Sequence, residues 1–210
     1  MPSPEEMFEH MYRDGLRDLE RNRDQNKLDL QYAKSSADTP RAHVVMIEQY
    51  DYMIDDVIKS LTVERPAPEL VLKNGLTALR RIEQFRFLLE NLLEAVKRDD
   101  SLQNSLIRYS ALGLIDFPVS DLSEVKRQSP WPFNSGAGGV LTKLWGRLRN
   151  AALTLMELVT NAINRIPQLI SVKPKASIGV SGPFPTFSLQ LEIETESIAL
   201  HELFRVLTGE

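Results

Sequence analysis

Hydrophobic and polar residues alternate between Ile170 and Glu194, in contrast to the rest of the chain. Apolar residues occupy the even positions as far as Val180 and the odd positions from Phe187 onwards, on either side of a Gly-Pro-Phe-Pro break. A period of two predicts strand, and two such runs around a glycine and proline break predict a β-hairpin. A register that pairs Val180 with Phe187 keeps both apolar sets on one face.

Elsewhere, apolar residues recur every three or four positions, which predicts helices. Ser3 and Pro4 form a typical helix start, with serine as the N-cap and proline in the first turn. Pro66 ends the second helix because proline lacks a backbone N–H and restricts the residue before it. The predicted helices cover about Ser3–Lys34, Arg41–Val63, Glu69–Arg98, Ser101–Leu114, Val140–Ile166 and Glu196–Leu207.

The spacing of apolar residues within the helices predicts how they assemble. Alternating steps of three and four, as from Ile47 to Leu61, are typical of coiled coils, and a broader apolar arc in the third helix favours a multi-helix bundle. Residues 118–139 are rich in proline and glycine and predict a linker. We therefore expect a predominantly helical α+β protein. An antiparallel helical bundle covers residues 1–117, and a unit of long helix, β-hairpin and short helix covers 140–210.

Composition narrows the class of protein further. The 210 residues are 42% hydrophobic and 26% charged, ordinary values for a soluble globular protein. A net charge of −4 argues against a nucleic-acid-binding protein. The absence of cysteine excludes disulfides and thiolate chemistry. An acidic start without an apolar stretch and the lack of a membrane-spanning run lead us to expect a cytoplasmic protein.

Metal chemistry has one candidate among the charged residues. The three histidines, His10, His43 and His201, fall in different predicted helices without metal-ligand spacing, and we expect no cofactor. Three carboxylates of the second helix share one face, which is how some helical phosphohydrolases and nucleases hold divalent cations. They are Glu48, Asp51 and Asp55, with Glu90 and Glu94 as a facing pair. The other interpretation is a solvated polar face.

Three aromatic residues lie between prolines and are candidates for binding a protein partner. Trp131 and Phe133 belong to the predicted linker, and Phe184 lies at the predicted hairpin tip. Aromatic residues displayed in this way either dock onto a partner or fill the protein's own core.

The long helix at 140–166 allows a membrane interpretation. Residues 140–175 contain six basic residues and one acidic residue, and a basic amphipathic helix can lie in a membrane interface. Lys143, Arg147 and Asn150 belong to its narrow polar strip. A buried helix with charged ends is equally compatible with the pattern.

The sequence favours a non-enzymatic protein–protein interaction protein, either an adaptor or a complex subunit. No catalytic triad, nucleophile elbow or dinucleotide fingerprint is visible. The exposed flank of the first helix, the Trp131 and Phe133 linker and the hairpin edge are the expected surfaces for a partner or for self-association. The metal-dependent enzyme and the membrane-active protein remain the alternatives.

Overall fold

The computed structural model describes residues 3–36, 39, 41–97, 137–166, 172–181 and 184–193, with the backbone alone for 93–97, 137–139, 142 and the strands. The elements are α1 (Pro4–Ser35), α2 (Arg41–Leu61), α3 (Pro68–Lys97), α4 (Ala137–Ile163), β1 (Val172–Ser181) and β2 (Phe184–Ile193). The chain is predominantly helical, as predicted. The helices predicted at Ser101–Leu114 and Glu196–Leu207 lie outside the described residues.

Local interactions fix where the helices begin. The Ser3 amide donates to Glu6 Oε2 at 2.6 Å, and the Glu6 amide donates to Ser3 Oγ at 3.1 Å. This reciprocal capping box satisfies backbone donors that have no partner inside the helix, and it confirms Ser3 as the N-cap. Pro68 opens α3, where its missing N–H costs no helical hydrogen bond.

The backbone of β1 and β2 forms a two-stranded antiparallel pair. Ile178 pairs with Phe187 and Val180 with Pro185, so the predicted register is wrong by two residues. Only two residues separate the strands, which is the most common length of a hairpin connection. The sequence predicted a longer connection, with the four-residue Gly-Pro-Phe-Pro break between the strands. The structure describes only the backbone of the two strands, and not how their side chains pack. The α+β architecture therefore stays a prediction.

The chain forms two compact units, and each helix contributes a segment to both. The first unit comprises Met1–Arg21, Asp56–Ile82 and Arg149–Glu210, and the second comprises Asn22–Asp55 and Glu83–Leu148. The predicted boundary at 118–139 falls largely on residues outside the description. The division into 1–117 and 140–210 therefore stays a prediction.

In the first unit, bundle-like packing of four helical segments buries an apolar core. Buried tyrosine Tyr12 connects α1 to the end of α2, because its hydroxyl donates to the Leu61 carbonyl and accepts from the Val63 amide at 3.3 Å. Burial raises the pKa of Tyr12, against the opposing effect of the Val63 hydrogen bond. The fully buried apolar side chains of this unit include Leu19, Leu61, Leu72 and Ile82.

Two glycines allow close helix contacts in the first unit. A Cβ atom built on Gly15 of α1 would lie 2.8 Å from Leu158 Cδ2 of α4. A Cβ atom built on Gly75 of α3 would lie 2.7 Å from Val159 Cγ2. The side chain of Val159 has one strongly preferred rotamer in a helix, so it cannot turn away from an added methyl group. Glycine at position 75 is therefore required by the packing of α3 against α4.

In the second unit, apolar residues from α1, α2 and α4 meet in one cluster. Ala33, Val44 and Ile47 are buried there, and Leu30 and Val140 pack against them. The ring of Tyr50 in α2 meets Phe85 of α3 edge to face, with centroids 5.6 Å apart. Edge-to-face contact is a preferred geometry of aromatic pairs.

Substitution of Gly75 by alanine tests the close helix contact. Gly75→Ala should lower the free energy of unfolding by about 1–2 kcal/mol, since overpacking outweighs the gain in helix propensity. The matched control is Gly146→Ala, where the new Cβ meets nothing within 4 Å. The free energy of unfolding of Gly146→Ala should rise by up to about 1 kcal/mol, because alanine has the higher helix propensity. Chemical denaturation measures both, and equal effects of the two variants would refute the contact.

Candidate functional site

The carboxylates proposed from the sequence as metal ligands lie on one face of α2, and each has a different partner in α1. Glu48 Oε1 lies 2.7 Å from Lys34 Nζ, and Asp55 Oδ1 lies 3.5 Å from Arg23 Nη1. Between them, Asp51 Oδ1 accepts a hydrogen bond from Asn26 Nδ2 at 3.2 Å. The acidic face of α2 therefore serves the contact with α1.

Of the two residues proposed to face this cluster, Glu90 has another partner. Glu90 Oε1 accepts from Arg86 Nη1 at 2.6 Å within α3, and the side chain of Glu94 lies outside the described residues. Within the described part of the chain, no group of three His, Asp or Glu residues is arranged to hold a metal ion.

The histidines occupy different environments. His10 is exposed and its Nδ1 lies 2.8 Å from Asp14 Oδ2, one helical turn away. His43 is buried in the second unit, and burial lowers its pKa to about 4, because the charged imidazolium loses its hydration there. His43 is therefore neutral in the folded protein at pH 7. His201 lies outside the described residues.

A polar cluster in the second unit, which we call the Arg147 cluster, joins α1 to both α2 and α4. Its centre is Asn26, whose side chain is completely buried. Asn26 Nδ2 donates to the Ile47 carbonyl at 3.0 Å as well as to Asp51, and Asn26 Oδ1 accepts from Arg147 Nη1 at 2.8 Å. Both amide hydrogens and the carbonyl oxygen of Asn26 are thus satisfied, as a buried amide requires.

Arg147 uses its planar guanidinium to contact several groups of α1. Nη2 lies 2.6 Å from Asp29 Oδ2 and 3.3 Å from the Gln25 carbonyl. Only 14% of the Arg147 side chain is exposed. A mostly buried guanidinium is tolerated when a carboxylate compensates its charge and hydrogen bonds satisfy its donors, which is the arrangement here.

Asn22 and Tyr50 complete the Arg147 cluster. Asn22 Nδ2 donates to the Arg147 carbonyl at 2.8 Å, and Asn22 Oδ1 accepts from the Tyr50 hydroxyl at 2.8 Å. Burial raises the pKa of Tyr50, and it outweighs the Arg147 charge and the Asn22 hydrogen bond, which lower it. Tyr50 therefore remains a neutral hydrogen-bond donor.

Sequence reasoning missed this cluster because it treated Arg147 as part of a polar strip. The signal was present as a seven-residue repeat. Tyr12, Leu19, Asn26 and Ala33 are spaced by seven, and all four are buried. A buried asparagine at a heptad core position is a known device for fixing helix register.

In the second unit, the outward side of α1 carries two large apolar residues. Leu28 is 59% exposed and Tyr32 is 76% exposed. They are four residues apart and therefore neighbours on the helix surface. Leu28 lies about 200° around the helix from Asn26, so this pair faces away from the Arg147 cluster.

The aromatic candidates from the sequence stay predictions. Trp131 and Phe133 lie outside the described residues. Phe184 is the first residue of β2 and pairs with Ser181, but its side chain also lies outside the description.

Comparison with known proteins gave no relative. No protein-family model matches the chain, and neither a curated protein nor a solved structure matches it. Among the residues that the structure describes, no helix is long and apolar enough to cross a membrane.

Removal of the Arg147 guanidinium tests the cluster. Arg147→Met should lower the free energy of unfolding by roughly 2–3 kcal/mol, because Asn26 Oδ1 loses its donor and Asp29 its counter-charge. Arg149→Met, which removes an exposed arginine from the same helix, should change it by less than about 0.5 kcal/mol. Urea denaturation of both variants gives the difference. A cost as small for Arg147 as for Arg149 would mean that the cluster is energetically unimportant.

The buried His43 makes stability depend on pH. Its pKa is about 4 in the folded protein and about 6.5 in the unfolded chain, so the unfolded state binds more protons between these values. Stability should therefore fall as the pH drops from 6.5 towards 4, by about 2–3 kcal/mol at pH 4.5 from this group. His43→Leu should remove that part of the loss. Thermal or urea denaturation at pH 7 and pH 4.5 measures it, and an equal loss in both proteins would contradict the assignment.

Proposed function

We propose that this chain is a non-enzymatic protein–protein interaction protein, an adaptor or complex subunit built on a helical bundle. The observation that carries the proposal is the exposed Leu28 and Tyr32 pair on α1. Isolated exposed apolar residues are ordinary, but adjacent large ones are typical of interaction sites. Tyrosine is enriched in such sites, because it combines a large apolar ring with a polar hydroxyl.

The Arg147 cluster supports the proposal indirectly. It holds the second unit's segment of α1 against α2 and α4 through side chains with defined hydrogen bonds. A helix held on its inner side presents its outer side in a fixed conformation. A partner then binds without the entropic cost of ordering the helix first.

The enzymatic alternative receives no such support. Glu48, Asp51 and Asp55, the residues on which it rested, interact with three different side chains of α1. The linker aromatics Trp131 and Phe133 and the hairpin edge stay further candidate surfaces in this proposal. A cytoplasmic location is also part of the proposal.

The proposal is tested by affinity capture with the tagged full-length chain from its native lysate, followed by mass spectrometry. We expect one protein at near-stoichiometric yield. Leu28→Gln together with Tyr32→Gln should reduce its recovery at least about tenfold, as expected when a central apolar contact is lost. The control is Tyr52→Gln, which replaces an equally exposed tyrosine, 71% exposed, on α2.

Thermal denaturation confirms that the variants are folded. Equal recovery by the double variant and the wild-type chain would exclude α1 as the interaction surface. If neither the wild-type chain nor the double variant captures a specific protein, the proposed function is contradicted. The linker variant Trp131→Ala is then not informative, because there is no binding for it to reduce.

A further inference from the structure

The outer side of α1 contains a second heptad pattern, separate from the buried one. Its positions advance by four and three residues along one continuous helix, and we call them the outer stripe. The outer stripe consists of Met7, Met11, Asp14, Asp18, Arg21, Gln25, Leu28 and Tyr32. Seven of these eight residues are exposed to solvent, and Asp14 is partly exposed. Positions spaced in this way lie along one side of a helix, where they can contact a second helix along its length.

The chemistry of the outer stripe is nearly symmetrical from end to end. Two large apolar residues occupy each end, Met7 and Met11 at the start and Leu28 and Tyr32 at the finish. Polar and charged residues occupy the four positions between them. A stripe with this symmetry can pair with a reversed copy of itself, which is the requirement for an interface with a two-fold axis.

We infer that the outer stripe joins two copies of this chain through an antiparallel contact between their α1 helices. The inference rests on the proposed function, since it names the partner that the interaction surface binds. With the two-fold axis midway between Asp18 and Arg21, Asp18 of each copy lies opposite Arg21 of the other. Met11 then lies opposite Leu28 of the second copy, and Met7 opposite its Tyr32.

Charge selects this orientation over the parallel one. A parallel pair in register would place Asp14 against Asp14, Asp18 against Asp18 and Arg21 against Arg21. Like charges in such positions are destabilising, whereas the antiparallel pair makes two contacts of opposite charge. Asp18 and Arg21 now pair within one helix at 2.9 Å, but both are more than half exposed. Such a pair is held weakly, so its members can exchange partners when a second helix arrives.

The proposed contact runs along most of α1. From Met7 to Tyr32 the helix rises about 38 Å. A seven-residue spacing drifts by about 20° per heptad on a straight helix, so the two helices have to wind gently left-handed for the stripes to stay in contact.

The mass of the full-length chain in solution tests the inference. Light scattering during size-exclusion chromatography over a range of micromolar concentrations should show a species of twice the single-chain mass. Asp18→Arg and Arg21→Asp should each weaken dimer association roughly tenfold, because each creates two contacts of like charge. The combination of Asp18→Arg with Arg21→Asp restores opposite charges and should restore the dimer.

Orientation can be tested separately, since the chain has no cysteine of its own. A mixture of Met11→Cys chains and Leu28→Cys chains should form a disulfide between the two kinds under mild oxidation. Neither kind alone should cross-link efficiently, because the antiparallel contact holds equivalent positions 11 far apart. Cross-linking of Met11→Cys with itself would instead indicate a parallel contact and overturn the inference.

The failure of this inference can be told apart from failure of the proposed function. A chain that stays monomeric at all concentrations, or a dimer that does not respond to the charge reversals, overturns the antiparallel contact. If a different protein is then captured in a manner that depends on Leu28 and Tyr32, the proposed function stands with another partner. If the tagged chain captures untagged copies of itself, both are supported.

Discussion

The arrangement of the second unit depends on one buried amide, that of Asn26. An amide removed from water costs several kcal/mol unless its hydrogen bonds are replaced, and the replacements here come from two helices at once. The Ile47 carbonyl and Asp51 belong to α2, and the Arg147 guanidinium belongs to α4. A slide of α2 by one turn would remove the acceptors of the amide hydrogens, and a slide of α4 would remove the donor to its oxygen. Apolar contacts alone would tolerate such a slide far better, because they have no direction.

The ion pairs around this amide extend the same principle to the surface. Lys34 with Glu48 and Arg23 with Asp55 connect α1 to α2 on either side of Asn26 along the helix. Partly exposed pairs of this kind contribute little free energy singly. They contribute to specificity, because an α1 helix displaced along its axis would place Lys34 and Arg23 next to the wrong carboxylates. The inner side of α1 therefore fixes the position of this helix along α2 through its polar contacts, in addition to burying apolar residues.

The sequence predicted what depends on neighbouring residues. The helices α1 to α4 begin and end within a few residues of the expected positions, because Ser3, Pro66 and Pro68 act locally on the backbone. It also placed Glu48, Asp51 and Asp55 correctly on one face of α2, since helix geometry decides that. It did not show what that face meets. Arg147 and Asn26 are 121 residues apart, and no periodicity within one helix reveals a partner on another. The hairpin register failed for a similar reason, since several registers satisfy the same alternation.

The two glycines of the first unit also limit how the sequence can diverge. Leu158 and Val159 are consecutive residues of α4, and one meets Gly15 of α1 while the other meets Gly75 of α3. Volume added at 75 meets the stiff side chain of Val159, and volume added at 15 meets the more flexible side chain of Leu158. Each glycine is therefore coupled to one α4 position, and the two couplings are adjacent in the chain. A substitution that adds volume at a glycine is therefore best tolerated together with a smaller residue at its α4 neighbour, and a pair changed in this way should cost less than the glycine substitution alone.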